Sequence, residues 1–295
     1  MSEVRDFRLE FLGTGTSAGI PCIGCSCPTC SSTDPRDTRL RCGAALRFLD
    51  PEGCPRTVLI DIPPDHRQQA LRHGLDRCDG ILITHAHVDH IFGLDEVRRY
   101  NTLMKAPIGI HAEPEVLECL HRIYPHIYAP HRNVNTSYVA DLFDVALQPD
   151  RVIQLFGLRI QPLRFLHGRL PILGFRVEAA LPDGRPAPEQ PGPLPLAWCT
   201  DVSGIPPETW PALDGLGTLV LDLLRDRAHA THLTTEQAVA LADRIGATRT
   251  RFIHMSHELG HADLLSRLPE GMEPAWDGLV LGEEFSSEPG AIRAD

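Results

Sequence analysis

Gly80-Ile81-Leu82-Ile83-Thr84-His85-Ala86-His87-Val88-Asp89-His90 is the stretch from which the rest of the chain is read. Its first four residues suit a short buried strand, and a helical pattern begins at Gly93. Between them stand three imidazoles and a carboxylate within positions 85 to 90. At a strand's carboxyl end, a loop can turn such groups toward one point. Alternation puts His85 and His87 on the same side of an extended segment. Asp89 and His90 fall at the start of the following helix. The pattern predicts two adjacent metals, one taking His85 and His87, the other Asp89 and His90. Borderline metals such as zinc accept this mixture of nitrogen and oxygen ligands. A surface loop with scattered histidines is the competing reading, and ligand groups at this density argue against it.

A site for two metals needs further ligands. Three candidates stand where apolar strands run out: His167 after Leu163-Arg164-Phe165-Leu166, Asp201 after Leu196-Ala197-Trp198-Cys199-Thr200, and His254 after Arg251-Phe252-Ile253. A carboxylate can bridge two cations and hold them about 3.5–4 Å apart, and Asp201 is the candidate for that role. Taken singly, each of the three would be read as a capping or hydrogen-bonding residue. Their repeated placement, together with residues 85 to 90, points to metal.

Alternation at Phe7, Leu9 and Phe11 predicts a strand running into the turn Gly13-Thr14-Gly15-Thr16-Ser17. Further strands are expected at 44–49, 57–61, 81–84, 107–111, 158–163, 173–178, 195–199, 217–222 and 251–254. Helices are expected near 65–73, 94–105, 114–123, 206–213 and 234–246. Thr234 should cap the last of these with Gln237 at its third position, and Gly246 should close it. The Pro- and Gly-rich stretch 181–195 must be a loop, joining two strands of one sheet. Strands and helices are mixed throughout. The expectation is therefore one α/β domain over 1–282, followed by a polar tail at 283–295.

The chain has 295 residues, enough to bury a large core. Its formal net charge is -11, from 28 basic and 39 acidic side chains. That balance argues against a general affinity for nucleic acid. No apolar run approaches the roughly 18 residues of a membrane span. The start Met1-Ser2-Glu3-Val4-Arg5-Asp6 is polar and has no signal-peptide core, which makes the cytoplasm the default location. The oligomeric state is open, a homodimer included.

Four of the nine cysteines crowd into residues 22 to 30. In a reducing compartment such crowding marks a metal site more often than a disulfide framework. Cys25, Cys27 and Cys30 could wrap one soft cation. His257, three residues after His254, and Cys22, in Cys22-Ile23-Gly24-Cys25, compete as the fourth ligand. A redox pair of Cys27 and Cys30 is the weaker alternative, because no thioredoxin-type strand-to-helix step surrounds it. Four protein ligands would close the coordination sphere, so this site should be structural.

His85-x-His87-x-Asp89-His90, followed in order by His167, Asp201 and His254, resembles the metallo-β-lactamase superfamily. The Gly13-Thr14-Gly15 turn, the Cys25-x-Cys27-x-x-Cys30 cluster and His254-Met255-Ser256-His257 narrow the likeness. They are similar to the phosphoribosyl 1,2-cyclic phosphate phosphodiesterase subgroup. The resemblance spans residues 7 to 280. It implies a four-layer αββα sandwich with a dinuclear site, of zinc or manganese, at one edge of the two sheets. It also implies a structural zinc on Cys25, Cys27, Cys30 and His257, with Cys22 outside the set. In that subgroup a histidine downstream of the bridging aspartate acts near the leaving group, and His232 is the matching position. Where the family often has Asp-Ala-Gly, this chain has Asp61-Ile62-Pro63, and Asp61 remains available to orient a ligand histidine.

The expected activity is hydrolysis of a small, cyclic phosphodiester by water activated between the two cations. His232 would serve as general acid, and Asp89 belongs with the catalytic set. Arg98 and Arg99 could grip a second phosphate of the substrate, or could form a solvated helix face. Thioester or lactone hydrolysis is the rival chemistry. A non-catalytic metal-binding module in cofactor biosynthesis is the rival class.

Overall fold

The computed structural model describes residues 4–134, 138–149 and 151–282. The expected polar tail at 283–295 lies outside them. In chain order the elements are β1 (Arg5–Gly13), β2 (Gly43–Leu49), β3 (Pro55–Ile60), α1 (His66–His73), β4 (Gly80–Leu82), α2 (Val88–Ile91), α3 (Arg98–Met104), β5 (Ile108–Ala112), α4 (Pro114–Ile123), α5 (Pro125–Tyr128), β6 (Leu142–Ala146), β7 (Ile153–Leu155), β8 (Leu158–His167), β9 (Leu170–Ala179), β10 (Leu196–Cys199), β11 (Thr218–Asp222), α6 (Thr235–Ile245), β12 (Arg249–Ile253), α7 (His261–Arg267), β13 (Met272–Pro274) and β14 (Val280–Gly282).

The strands form two sheets, in the orders β14-β1-β2-β3-β4-β5-β6 and β13-β12-β11-β10-β9-β8-β7. In the first sheet β1, β2 and β3 pair antiparallel, and β3 to β6 pair parallel. The second sheet mirrors this, with β10 to β13 parallel and β7 to β10 antiparallel. The 181–195 loop joins β9 to β10, which are neighbours in one sheet, as expected.

Period-two alternation sorts side chains between the layers. Leu9, Phe11, Leu46, Val58 and Ile60 of the first sheet meet Leu173, Phe175, Leu196, Trp198 and Val220 of the second. The fully buried Trp198 indole lies 5.9 Å from the Phe11 ring across this seam. Leu12, Ala45, Leu59 and Ile81 face outward onto Ile91, Val97, Tyr100, Val116 and Leu120 of the first helical layer. Ala197, Cys199, Leu219 and Leu221 face outward onto Ala238, Ala242 and Leu264 of α6 and α7. The result is the expected layering of helices, sheet, sheet and helices.

α6 carries its predicted caps. The Thr234 hydroxyl accepts from the Gln237 amide, the Gln237 side chain accepts from the Thr234 amide, and Gly246 ends the helix with φ 69°. Three expectations need correction. The helix at 94–105 is a 3-10 turn over Leu94–Val97 followed by α3. The helix at 206–213 is a 3-10 segment, Pro207–Leu213, because Pro211 inside it has no amide to donate. β4 stops at Leu82, before the expected end of that strand at 84. Strands β6, β7, β13 and β14 and helices α5 and α7 lie outside the expected elements.

Candidate metal centre

The candidate ligands collect beyond strand ends of both sheets. His85, His87, Asp89 and His90 follow β4, His167 ends β8, Asp201 follows β10 and His254 follows β12. Sharp exits are needed there, and the backbone records them: Asp61, Asp201 and His254 have φ of 59°, 58° and 61°. A non-glycine residue in the left-handed region costs about 1–2 kcal/mol. That three such residues sit at one site shows how far the packed strands over-determine their direction.

Ligand-capable atoms fall into overlapping groups, all within 4.8 Å of one another in each group: His85, His87 and His167; His85, His90 and Asp201; Asp89, His90 and His254. Asp201 shares ligand-distance groups with both sets, with His85 and His90 and with His167 and His232. Its Oδ2 is 3.2 Å from His90 Nε2, and its Oδ1 is 3.3 Å from His254 Nε2. Neither His90 Nε2 nor His254 Nε2 makes a hydrogen bond of proper geometry, and His85 Nε2, also buried, has none. Buried polar atoms without partners are costly, and these converge on common points. The donor set of imidazoles and carboxylates fits two divalent cations.

The far side of three of the rings is held. His90 Nδ1 donates to Asp61 Oδ2 at 2.7 Å. Asp61 also accepts from the Thr84 amide at 2.9 Å and the Thr84 hydroxyl, and that hydroxyl takes His85 Nδ1 at 3.0 Å. His167 Nδ1 donates to the Thr231 carbonyl at 2.8 Å. These bonds put the protons on Nδ1 and leave Nε2 as the ligand atom. Burial, and secondarily the facing His90, holds His85 well below the ordinary imidazole range, so it stays neutral. Burial opposes ionisation of Asp201, yet the surrounding His254 and His90 hold its carboxyl well below the usual range.

His232 closes the other wall. Its Nδ1 lies 3.0 Å from Asp222 Oδ1, and Asp222 Oδ2 accepts from the Leu233 amide at 3.0 Å. Its ring lies 4.7 Å from that of His167 and 4.6 Å from that of His254. Asp222, at the end of β11, is a residue the sequence reading passed over. Its signal was available, since Leu219-Val220-Leu221-Asp222 repeats the strand-then-acid pattern used to find Asp201.

The Cys25, Cys27 and Cys30 sulfurs gather with His257 Nδ1, all within 4.8 Å of one another. His257 Nδ1 lies 3.3 Å from the sulfurs of both Cys25 and Cys27. Amides of Cys30 and Cys22 point at the Cys27 and Cys30 sulfurs. The Cys22 thiol instead donates to the Gly19 carbonyl at 3.2 Å, turned away from the cluster. The Gly13-Thr14-Gly15 turn packs beside the segment that carries His254 and His257, with Thr16 bonded to the Met255 carbonyl at 3.1 Å. A Cβ on Gly13 would fall 2.0 Å from the Arg41 carbonyl oxygen, so only glycine fits there.

Arg98 pairs with Asp95 at 2.8 Å and lies over the Tyr138 ring, and Arg99 is exposed on α3. The structure thus gives Arg98 a surface partner of its own.

A family model described as a beta-lactamase superfamily domain matches residues 56–255. The octanoyltransferase of Porphyromonas gingivalis is 34% identical over 274 residues, covering 92% of this chain. The chain spans about half of that protein, 51% of its length. A diphosphatase of the PhnP family has a solved structure with a TM-score of 0.81 and 34% identity, covering 94% of this chain and 97% of that one. Zinc-bound PqqB from Methylobacterium extorquens, at 19% identity and a TM-score of 0.70, covers 94% of this chain and 100% of its own, and shares the fold.

Proposed function

The chain belongs to the metallo-β-lactamase superfamily, among its PhnP-type hydrolases, and from that premise we propose that it hydrolyses a small phosphodiester with a cyclic or nucleotide-like alcohol. The residues proposed to hold one cation are His85, His87 and His167, and those for the other are Asp89, His90 and His254, with Asp201 shared. Zinc and manganese both suit this donor set. Bound there, the cations would supply Lewis acidity to a phosphoryl group and lower the pKa of water. Cys25, Cys27, Cys30 and His257 are proposed as a closed, structural zinc site.

One observation carries the phosphodiester reading: the Asp222–His232 pair beside the ligand cluster. Asp222 holds His232 through Nδ1 at 3.0 Å, which leaves Nε2 to face the site. A histidine so oriented can give a proton to a departing alkoxide. Phosphodiesters with basic leaving groups need that proton, whereas thioesters do not. Asp61 and the Thr231 carbonyl keep His90 and His167 in their ligand tautomers throughout.

His232 also lies within ligand distance of His167 and Asp201, so a role as a metal ligand is the competing assignment. The experiment compares wild type and His232→Ala on bis(p-nitrophenyl) phosphate, on a diester with an aliphatic leaving group, and on a thioester, with metal content measured in parallel. The acid role predicts retained metal and a loss on the order of 10²–10⁴-fold on the aliphatic ester. The loss should be much smaller for p-nitrophenolate. Equal losses on both diesters, or lost metal, refute the acid role, and a thioester turned over faster than either diester refutes the phosphodiesterase reading.

A further inference from the structure

Beside His232 the surface opens into a cavity of about 460 Å³, lined among others by Arg169, Ser203, His229, Thr231 and Gln237. The chain carries a net charge of -11, yet no carboxylate lines this cavity. It presents donors instead. His229 Nδ1 accepts from the Thr231 amide at 3.3 Å, which places its proton on Nε2. Gln237 spends its Oε1 on the Thr234 amide at 3.0 Å, leaving the side-chain NH2 free to donate. Arg169 sits at the tip of the β8–β9 hairpin, two residues after His167. Among the described residues no hydrogen bond or ion pair neutralises its guanidinium.

The tip that carries Arg169 is firm. Ser203 Oγ accepts from the Gly168 amide at 2.8 Å and donates to the Leu166 carbonyl at 2.9 Å. Gly168 has φ +63°, and a Cβ there would fall 2.8 Å from Thr231 Cγ2, so the hairpin and the His229–His232 loop are in direct contact. Two other cavities among the described residues differ from it. In the one of about 640 Å³, the arginines Arg47, Arg56 and Arg77 are already paired with Glu10, Asp50 and Asp79. Asp226, Glu236 and Asp243 line the one of about 600 Å³.

We infer that Arg169, with His229 Nε2 and the Gln237 amide, forms a subsite for a second anionic group borne by the alcohol that departs under His232. The inference rests on the phosphodiesterase reading for the placing of that alcohol. A guanidinium fork matches a phosphate or a carboxylate through two parallel hydrogen bonds. The subsite therefore selects substrates whose leaving group carries its own negative charge.

The test uses three adenosine 2′,3′-cyclic phosphates bearing a 5′-phosphate, a 5′-carboxylate or a 5′-hydroxyl, with metal-loaded wild type, Arg169→Gln and Arg169→Lys. Wild type should favour an anionic ester over the hydroxyl form in kcat/KM by about 10–100-fold, the range for one charged hydrogen-bonded contact. Arg169→Gln should erase that ratio, chiefly through KM, and Arg169→Lys should keep part of it. Whether the phosphate or the carboxylate is preferred identifies the group. No preference in wild type, or a preference intact in Arg169→Gln, overturns the inference. If none of the three esters is hydrolysed, the phosphodiesterase reading fails on its own. Calorimetric titration with adenosine 5′-monophosphate and adenosine then reads the subsite directly. A tenfold or greater weakening of the monophosphate alone in Arg169→Gln supports it, and unchanged affinity overturns it.

Discussion

Asp61→Asn tests whether the site is built from its outer ring inward. Asp61 is buried, 1% exposed, at φ 59°. Asparagine has nearly the same shape and tolerates that backbone region. One carboxylate oxygen becomes an NH2, and its place is decided by the partners. Asp61 Oδ1 accepts from the Thr84 amide at 2.9 Å, a donor that cannot rotate. The asparagine oxygen must stay there, so its NH2 faces His90 Nδ1, now 2.7 Å from Oδ2. His90 must then accept at Nδ1 and carry its proton on Nε2. That is the atom standing 3.2 Å from Asp201 and 3.5 Å from Asp89, and a protonated nitrogen cannot bind metal. Loss of such an outer partner weakens metal binding about 10–100-fold, or about 1.4–2.8 kcal/mol.

Asp61→Ala provides the contrast. It keeps no acceptor, and it leaves the Thr84 amide and His90 Nδ1 unpaired at about 1–3 kcal/mol each. It also puts alanine at φ 59° for about 1–2 kcal/mol more. The assay is zinc titration of the stripped proteins against a chromophoric chelator, with denaturant melts of the same samples. Asp61→Asn should lose affinity with a small change in the metal-free melt, and Asp61→Ala should lose both. Wild-type zinc affinity in Asp61→Asn would refute the tautomer argument.

Two further perturbations follow from the structure. Cys27→Ser should lower bound metal from about three ions per chain to about two, lower the melting temperature, and reduce turnover secondarily, since His257 lies three residues after His254 in the sequence; a variant that keeps its zinc and melts with wild type would show that Cys27 is no ligand. His66 is buried against Tyr100, with Nε2 3.0 Å from the hydroxyl, and burial holds its pKa down at about 4. The unfolded chain therefore binds the proton first, and the His66 contribution is whole above about pH 6.5 and is lost as pH falls toward 4, up to about 3 kcal/mol. His66→Gln should flatten the fall in urea midpoint between pH 7 and 4.5, and an unchanged slope would refute the assignment.

What the sequence made legible and what it hid divide along a physical line. The seven candidate metal ligands were readable because each follows an apolar run, and a strand's end is a local property. The α6 caps were readable for the same reason, as Thr234, Gln237 and Gly246 act within one helix. Edge strands were hidden because half-exposed residues blur the alternation: β6, Leu142 to Ala146, has no fully buried position. Spacing leaves the fourth cysteine open, because what sets Cys22 apart is the turn of its thiol toward the Gly19 carbonyl and not its distance along the chain. The arginines show the limit most directly. Arg98 and Arg99 follow the ligand-rich segment, yet Arg98 turns to Asp95 on the 3-10 turn that precedes α3. Arg169 stands alone in sequence between Gly168 and Leu170, and only the meeting of its hairpin with the His229–His232 loop gives it a cavity to face. Candidate metal ligands can be found from the strand that carries them. A candidate for choosing the substrate is defined by what lies opposite it, which belongs to the fold.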